Sequence, residues 1–100
     1  MKNDIIVMTS AKAGSGKEQE VQQALRDVAK AARSQPGCVE YLVLCSTDDS
    51  AVTISVERWK SKEDRDAFLA GPDVKKFASA VSGAFAESPQ PLSYEVLDEA

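Results

Sequence analysis

The sequence predicts an α+β protein whose strands and helices follow one another in the order β-α-β-β-α-α-β. Three observations favour this fold class. Some segments alternate apolar and polar residues as half-buried strands do, others carry apolar residues at helical spacing, and turn residues lie between them. The chain has 100 residues, enough for a single hydrophobic core. We therefore expect residues 1–100 to form one domain.

The first strand and the first helix are predicted in the N-terminal third. Apolar and polar residues alternate with a period of two over residues 4–12, which is typical of a strand. A glycine-containing turn at 13–16 leads to a helix over residues 17–34, where an apolar stripe faces away from charged residues. We expect this helix to end before Pro36-Gly37, because proline cannot continue a helix and glycine allows the turn.

Two further strands form a predicted hairpin. They cover residues 38–46 and 51–59 and are joined by the polar turn 47–50. The chain's two cysteines, Cys38 and Cys45, both fall on the first of these strands, seven residues apart. An odd separation places them on opposite faces, so we expect no disulfide between them.

Two helices are predicted next. The first covers residues 62–70 and has Ser61 as its N-cap. The second covers residues 73–86 and follows Pro72, which suits the first turn of a helix. Its apolar stripe consists of Val74, Phe77, Ala78, Val81 and Phe85.

A linker at 88–91 and a last strand at 92–97 complete the order of a ferredoxin-like split-βαβ fold, a four-stranded antiparallel sheet with helices on one face. Both faces of the first two strands are mainly apolar. The second strand presents Val39, Tyr41 and Val43 to one face and Leu42 and Leu44 to the other. Because a small chain should not expose such a face, we expect a second copy to cover it in a homodimer.

Composition excludes several classes of function. The formal net charge is −4, whereas proteins that bind nucleic acid carry a basic patch. No apolar segment approaches membrane-spanning length, and the run at 5–8 is too short for a signal peptide, so we expect a cytoplasmic protein without a membrane partner. With no histidine and only two cysteines, the chain lacks the ligand set of a zinc site, so we expect no metal.

Three segments carry a family resemblance. They are SQPGCVEY at 34–41, ERWKSKE at 57–63 and FLAGPDVKKF at 68–77. On these segments the chain resembles the antibiotic biosynthesis monooxygenase family of dimeric α+β barrel proteins. The resemblance implies a pocket between the helices and the sheet for a hydrophobic or aromatic small molecule. It also implies oxidation of quinols or polycyclic phenols without a cofactor.

The chain departs from the family pattern in lacking histidine. Family members often carry histidine where this sequence has Phe68 and Asp73. Haem-degrading relatives use Asn, Trp and His together, and here Ser79 stands in the region of the iron-binding histidine. We therefore expect no haem and no other cofactor.

Four residues on one face of the third strand are candidate site residues: Thr53, Ser55, Glu57 and Trp59. This face is unusually polar for a central strand, which indicates a cavity. Glu57 is the candidate catalytic residue, as the partner of a phenolic hydroxyl, and an ion pair with a neighbouring Lys or Arg is the alternative. Trp59 either stacks on a flat substrate or anchors the strand end against a helix.

The helices supply the opposite wall in this hypothesis. Phe68, Phe77 and Val81 lie at positions that face the third strand. A core residue at such a position also forms part of the pocket wall. Together with this predicted pocket, the family resemblance implies a cofactor-independent monooxygenase acting on a quinol or polycyclic phenol. The alternative is a small-molecule binding or auxiliary domain of the same fold without enzymatic activity.

Overall fold

The structure is a computed structural model that describes residues 4–99. Its elements are β1 (Ile5–Ala13), α1 (Glu18–Arg33), β2 (Cys38–Cys45), β3 (Val52–Trp59), α2 (Lys62–Leu69), α3 (Pro72–Ala80) and β4 (Phe85–Glu95). The strands form one antiparallel sheet in the order β2-β3-β1-β4. This confirms the predicted ferredoxin-like α+β fold. No helix within the described range is long and apolar enough to cross a membrane.

The predicted boundary between the third helix and the last strand is wrong. Helix α3 ends at Ala80, and Gly83, with a φ of 75°, turns the chain into β4. Phe85 therefore lies on β4 rather than on the helix stripe. The predicted linker at 88–91 lies inside this strand, which is 11 residues long. Proline is tolerated there because β4 is an edge strand, whose outward N–H groups have no ladder partner.

A bulge at the start of β2 overturns the prediction that the two cysteines lie on opposite faces. The pairing with β3 shifts between Cys38 and Glu40, so Val39 is an extra residue and is 50% exposed. The shift changes the parity of the strand and places Cys38 and Cys45 on the same face. Both are free thiols, and about seven residues of extended strand, roughly 23 Å, separate them.

Two neighbouring clusters of buried side chains fill the space between the helices and the sheet. The first contains Val21, Leu25 and Val81, and the second contains Trp59 and Phe68. Helix α1 contributes to both clusters because its apolar stripe runs along its whole length.

Two of the segments that carry the family resemblance meet in space. Gly37 has a φ of 84°, and a Cβ atom there would collide with the side chain of Asp64. The Gly37 carbonyl accepts a hydrogen bond from the Lys60 N–H at 2.8 Å, and the Ser61 hydroxyl caps α2 by accepting from the Asp64 N–H at 3.1 Å. The glycine thus lets the start of α2 dock closely against the start of β2.

The sheet face opposite the helices carries a continuous apolar row. Leu42 pairs with Val56, Val56 with Met8, and Met8 with Leu92, so the row crosses all four strands. Met8, Leu42 and Leu92 are 40%, 42% and 58% exposed. Contiguous apolar surface of this kind is typical of an interaction site.

Candidate functional site

A cavity of about 130 Å³ lies between the sheet and the helices. Its sheet side carries polar groups, namely Thr9, Tyr41, Thr53, Ser55 and Glu57. Its helix side is mainly apolar, with aliphatic and aromatic side chains of α1, α2 and α3 and the single charged residue Arg65. A few convergent polar groups within apolar walls are the usual composition of a small-molecule site.

Five of the seven predicted site residues line this cavity: Thr53, Ser55, Glu57, Phe68 and Phe77. The alternation of β3 explains the first three, because every second residue of the strand faces the helices. The polar face of β3 therefore does face a cavity.

The other two predicted residues lie behind the lining. Trp59 is fully buried and packs on Phe68, with ring centroids 5.6 Å apart and planes at 33°. Val81 is buried in the neighbouring core cluster beside Leu25. Trp59 thus holds a cavity residue in place, which corresponds to the alternative that the sequence left open for it.

Glu57 is buried, and both of its carboxylate oxygens accept hydrogen bonds. Its Oε1 accepts hydrogen bonds from Trp59 Nε1 at 2.9 Å and from Arg65 Nε at 3.1 Å. Its Oε2 accepts from Arg65 Nη2 at the longer distance of 3.3 Å. The ion pair that the sequence left open as the alternative is thus present. Two parallel N–H···O contacts from one guanidinium also fix the carboxylate's orientation.

Tyr41 adds a protonated phenol to the same wall. Burial raises the pKa of Tyr41, and the negative charge of Glu57 raises it further, while Arg65 and a hydrogen bond with Ser55 act in the opposite direction. The hydroxyl therefore keeps its proton across the neutral range. The Tyr41 carbonyl accepts from Arg33 Nη2 at 2.8 Å, which ties β2 to α1.

Sequence reasoning missed Arg65 as a site residue. It lies in a strongly charged segment of α2, and most such charges are solvated. The signal was its spacing: Arg65 precedes the buried Phe68 by three residues, so both share one helix face. The Arg65 side chain is accordingly only 18% exposed.

The site combines a charge-balanced pair with neutral hydroxyls inside apolar walls. Such a lining suits a flat, uncharged ligand that carries at least one hydroxyl group, because no net charge has to be buried with it. Within residues 4–99, no cluster of three histidine, cysteine or acidic side chains is arranged to hold a metal ion.

Fold and site together define a small ferredoxin-like α+β domain with a ligand-sized cavity between its helices and its sheet. The family model for antibiotic biosynthesis monooxygenase matches residues 4–80. The chain belongs to this family, which confirms the resemblance seen in the sequence.

Solved structures from several bacteria share the fold. A Nitrosomonas europaea protein, provisionally assigned as an antibiotic biosynthesis monooxygenase, is 20% identical with a TM-score of 0.91, over 97% of this chain and 93% of its own. PA3566 of Pseudomonas aeruginosa is 15% identical with a TM-score of 0.90, over 98% of both chains. Rv0793 of Mycobacterium tuberculosis is 18% identical with a TM-score of 0.90, over 98% and 99%. Among curated proteins none matches the sequence.

Proposed function

We propose that the protein is a cofactor-independent monooxygenase that oxidises a quinol or phenol in the cavity between its helices and its sheet. The observation that carries this proposal is the Glu57–Arg65 pair, which lies in the wall of an otherwise apolar cavity. Family membership supports the reaction class, and the composition of the cavity supports its location.

The reaction needs no metal or flavin if the phenol is first ionised. The phenolate passes one electron to O2, and the resulting phenoxyl radical and superoxide combine to form a carbon–oxygen bond at a ring carbon that carries hydrogen. This carbon lies opposite the hydroxyl in a phenol and beside it in a quinol. Loss of water from this peroxide leaves a carbonyl. One oxygen atom thus stays in the quinone, and the other leaves as water with the phenolic hydrogen and the displaced ring hydrogen.

The cavity residues have distinct roles in this scheme. Glu57 Oε2, which accepts the longer of the two Arg65 contacts, receives the phenolic proton. Arg65 then neutralises the phenolate in place of the carboxylate, and the protonated Tyr41 is available as a hydrogen-bond donor. The apolar walls exclude water, which strengthens these interactions.

Oxygen uptake with a panel of quinols and phenols tests the proposal. We expect uptake above the spontaneous rate, and we expect Glu57→Gln and Arg65→Met to lower it at least tenfold. Arg65→Lys, which keeps the charge but loses the paired contacts, should recover part of the rate. Lys62→Met changes an exposed cation on the same helix and serves as the matched control. Uptake that never exceeds the spontaneous rate would refute the proposal.

A binding domain without enzymatic activity is the second candidate. The close engagement of Glu57 with Arg65 and Trp59, in a chain without histidine, favours it. This candidate predicts saturable binding of an aromatic ligand that changes Trp59 fluorescence, with no product formed. Product formation that depends on Glu57 would contradict it.

We also propose that the protein is a homodimer through its open sheet face. The support is the apolar row Leu42-Val56-Met8-Leu92, which crosses the whole sheet. Light scattering should give twice the mass of one chain, and Met8→Lys should give a monomer because it buries a charge in the contact. Ala78→Lys, on an exposed position of α3, should leave the dimer intact. A monomeric wild type would refute this proposal.

A further inference from the structure

A second open space adjoins the cavity on its helix side. A second hollow, of about 100 Å³, lies between α1 and α3. Two residues line both spaces: Val28 of α1 and Phe77 of α3. The other residues that line the hollow include the exposed Asp27 and Lys76. Val28 and Phe77 therefore form a septum between the inner cavity and the hollow.

The volume of the inner cavity limits how much of a ligand it can enclose. An engineered apolar cavity of roughly 150 Å³ binds benzene, whereas pockets for drug-sized ligands measure about 300–1,000 Å³. At about 130 Å³, this cavity is slightly smaller than the one that binds benzene, so it encloses one aromatic ring and lacks room for a second ring fused to it.

Glu57 on the sheet side and Phe68 on α2 are fixed more firmly than Phe77 is. On the sheet side, Glu57 is held by Arg65 and Trp59. On α2, Phe68 is buried against Trp59. Phe77, in contrast, lies on a helix of nine residues in which no residue is buried, and its ring packs against both core clusters from the outside. Phe77 is thus the residue whose size decides whether the two spaces are separate.

We propose that the septum formed by Val28 and Phe77 makes the protein selective for a single-ring phenol or hydroquinone over fused-ring phenols. Opening the septum joins the hollow to the cavity and makes room for a second ring. This inference narrows the substrate class of the proposed function and rests on the same site. It concerns binding, however, and can be tested without turnover.

Calorimetric titration under nitrogen, with phenol and 2-naphthol as ligands, measures the selectivity directly. Wild type should bind phenol and show at least tenfold weaker binding of 2-naphthol. Phe77→Ala should bind 2-naphthol at least tenfold more tightly than wild type does. Val28→Ala, a smaller truncation on the other side of the septum, should shift the preference in the same direction and remains informative if Phe77→Ala does not fold.

A variant in which a larger side chain fills the hollow provides the matched control. Ala80 lines the hollow but not the cavity, so Ala80→Leu alone should leave phenol binding unchanged. In the double variant Phe77→Ala/Ala80→Leu, the added side chain occupies the hollow, and the gain for 2-naphthol should be lost.

The outcomes separate this inference from the proposed function. If wild type binds 2-naphthol within threefold of phenol, or if neither septum variant changes the preference, the septum inference is overturned while turnover can still be found. If the predicted preference is observed without oxygen uptake on any phenol, the septum stands and the monooxygenase proposal fails. If neither phenol binds to any variant, both are overturned.

Discussion

Replacing Arg65 with methionine tests whether Arg65 stabilises the fold by pairing with the buried carboxylate of Glu57. Arg65→Met keeps much of the length of the side chain but removes the guanidinium that contacts both oxygens of Glu57. The Glu57 side chain is 5% exposed, so water cannot replace the lost partner. Removing one partner of a buried pair costs about 3–5 kcal/mol. Because Arg65 is itself 18% exposed, we expect the low end, about 3 kcal/mol.

Urea unfolding followed by Trp59 fluorescence and circular dichroism measures this loss. With an m-value of about 1–3 kcal/mol/M for a small domain, the midpoint should fall by roughly 1–3 M. Lys62→Met is the control, because Lys62 pairs with Asp66 on the same helix but both side chains are more than half exposed. Its midpoint should not change measurably. All variants are compared at one protein concentration, since dimerisation would make the midpoint depend on it.

The double variant Glu57→Gln/Arg65→Met identifies the source of the loss. The neutral amide can still accept from Trp59 Nε1, and no charge remains buried without a counter-ion. The double variant should therefore be more stable than Arg65→Met alone. A double variant that is less stable, or an Arg65→Met midpoint as high as that of Lys62→Met, would refute the reasoning.

Three further predictions concern pH and the backbone. Burial raises the pKa of Tyr41, so the folded chain keeps a proton that the unfolded chain loses above about pH 10; thermal stability should fall above that pH, and less steeply in Tyr41→Phe. The hydrogen bond from Arg58 lowers the pKa of Asp4, so its contribution to stability is present above about pH 4 and is lost as the pH falls further. In Arg58→Met, the urea midpoint should depend less on pH between pH 5 and pH 2 than it does in wild type. Gly37→Ala should cost more than the roughly 1 kcal/mol expected of Gly16→Ala at a similar positive φ, because only Gly37 has a close neighbour where the Cβ would be; equal losses in urea unfolding would contradict this.

Much of the fold could be predicted because periodicity and turn chemistry agree along most of the chain. The two strands of the hairpin and α2 each match their predicted ranges to within one residue at either end. The third helix was extended too far because Val81 and Phe85 continue its helical spacing, although Gly83 breaks the helix between them. The prolines of β4 were interpreted as a linker because proline weakens a strand prediction, whereas an edge strand tolerates it. The bulge at Val39 adds a single residue, which leaves no periodic signal.

Part of the site could be predicted for the same reason. The polar face of β3 is a local pattern, and it correctly indicated a cavity. The partner of Glu57, in contrast, comes from another element, and the choice among the chain's 12 Lys and Arg residues depends on how α2 docks. Only the structure identifies Arg65 as that partner. The cavity volume likewise depends on the packing of α1 against α3 and has no local signature.

The absence of histidine is consistent with the proposed chemistry when charge is counted across the site. Before reaction, the negative charge of Glu57 and the positive charge of Arg65 cancel inside the cavity wall. If the phenolic proton passes to Glu57, the negative charge moves to the ring oxygen, and Arg65 remains its counter-ion. The number of buried charges is then the same before and after the transfer, so ionisation adds no net charge to the low-dielectric site. An imidazole base would become a second cation beside Arg65, whereas a carboxylate paired with an arginine accepts the proton and keeps the site neutral.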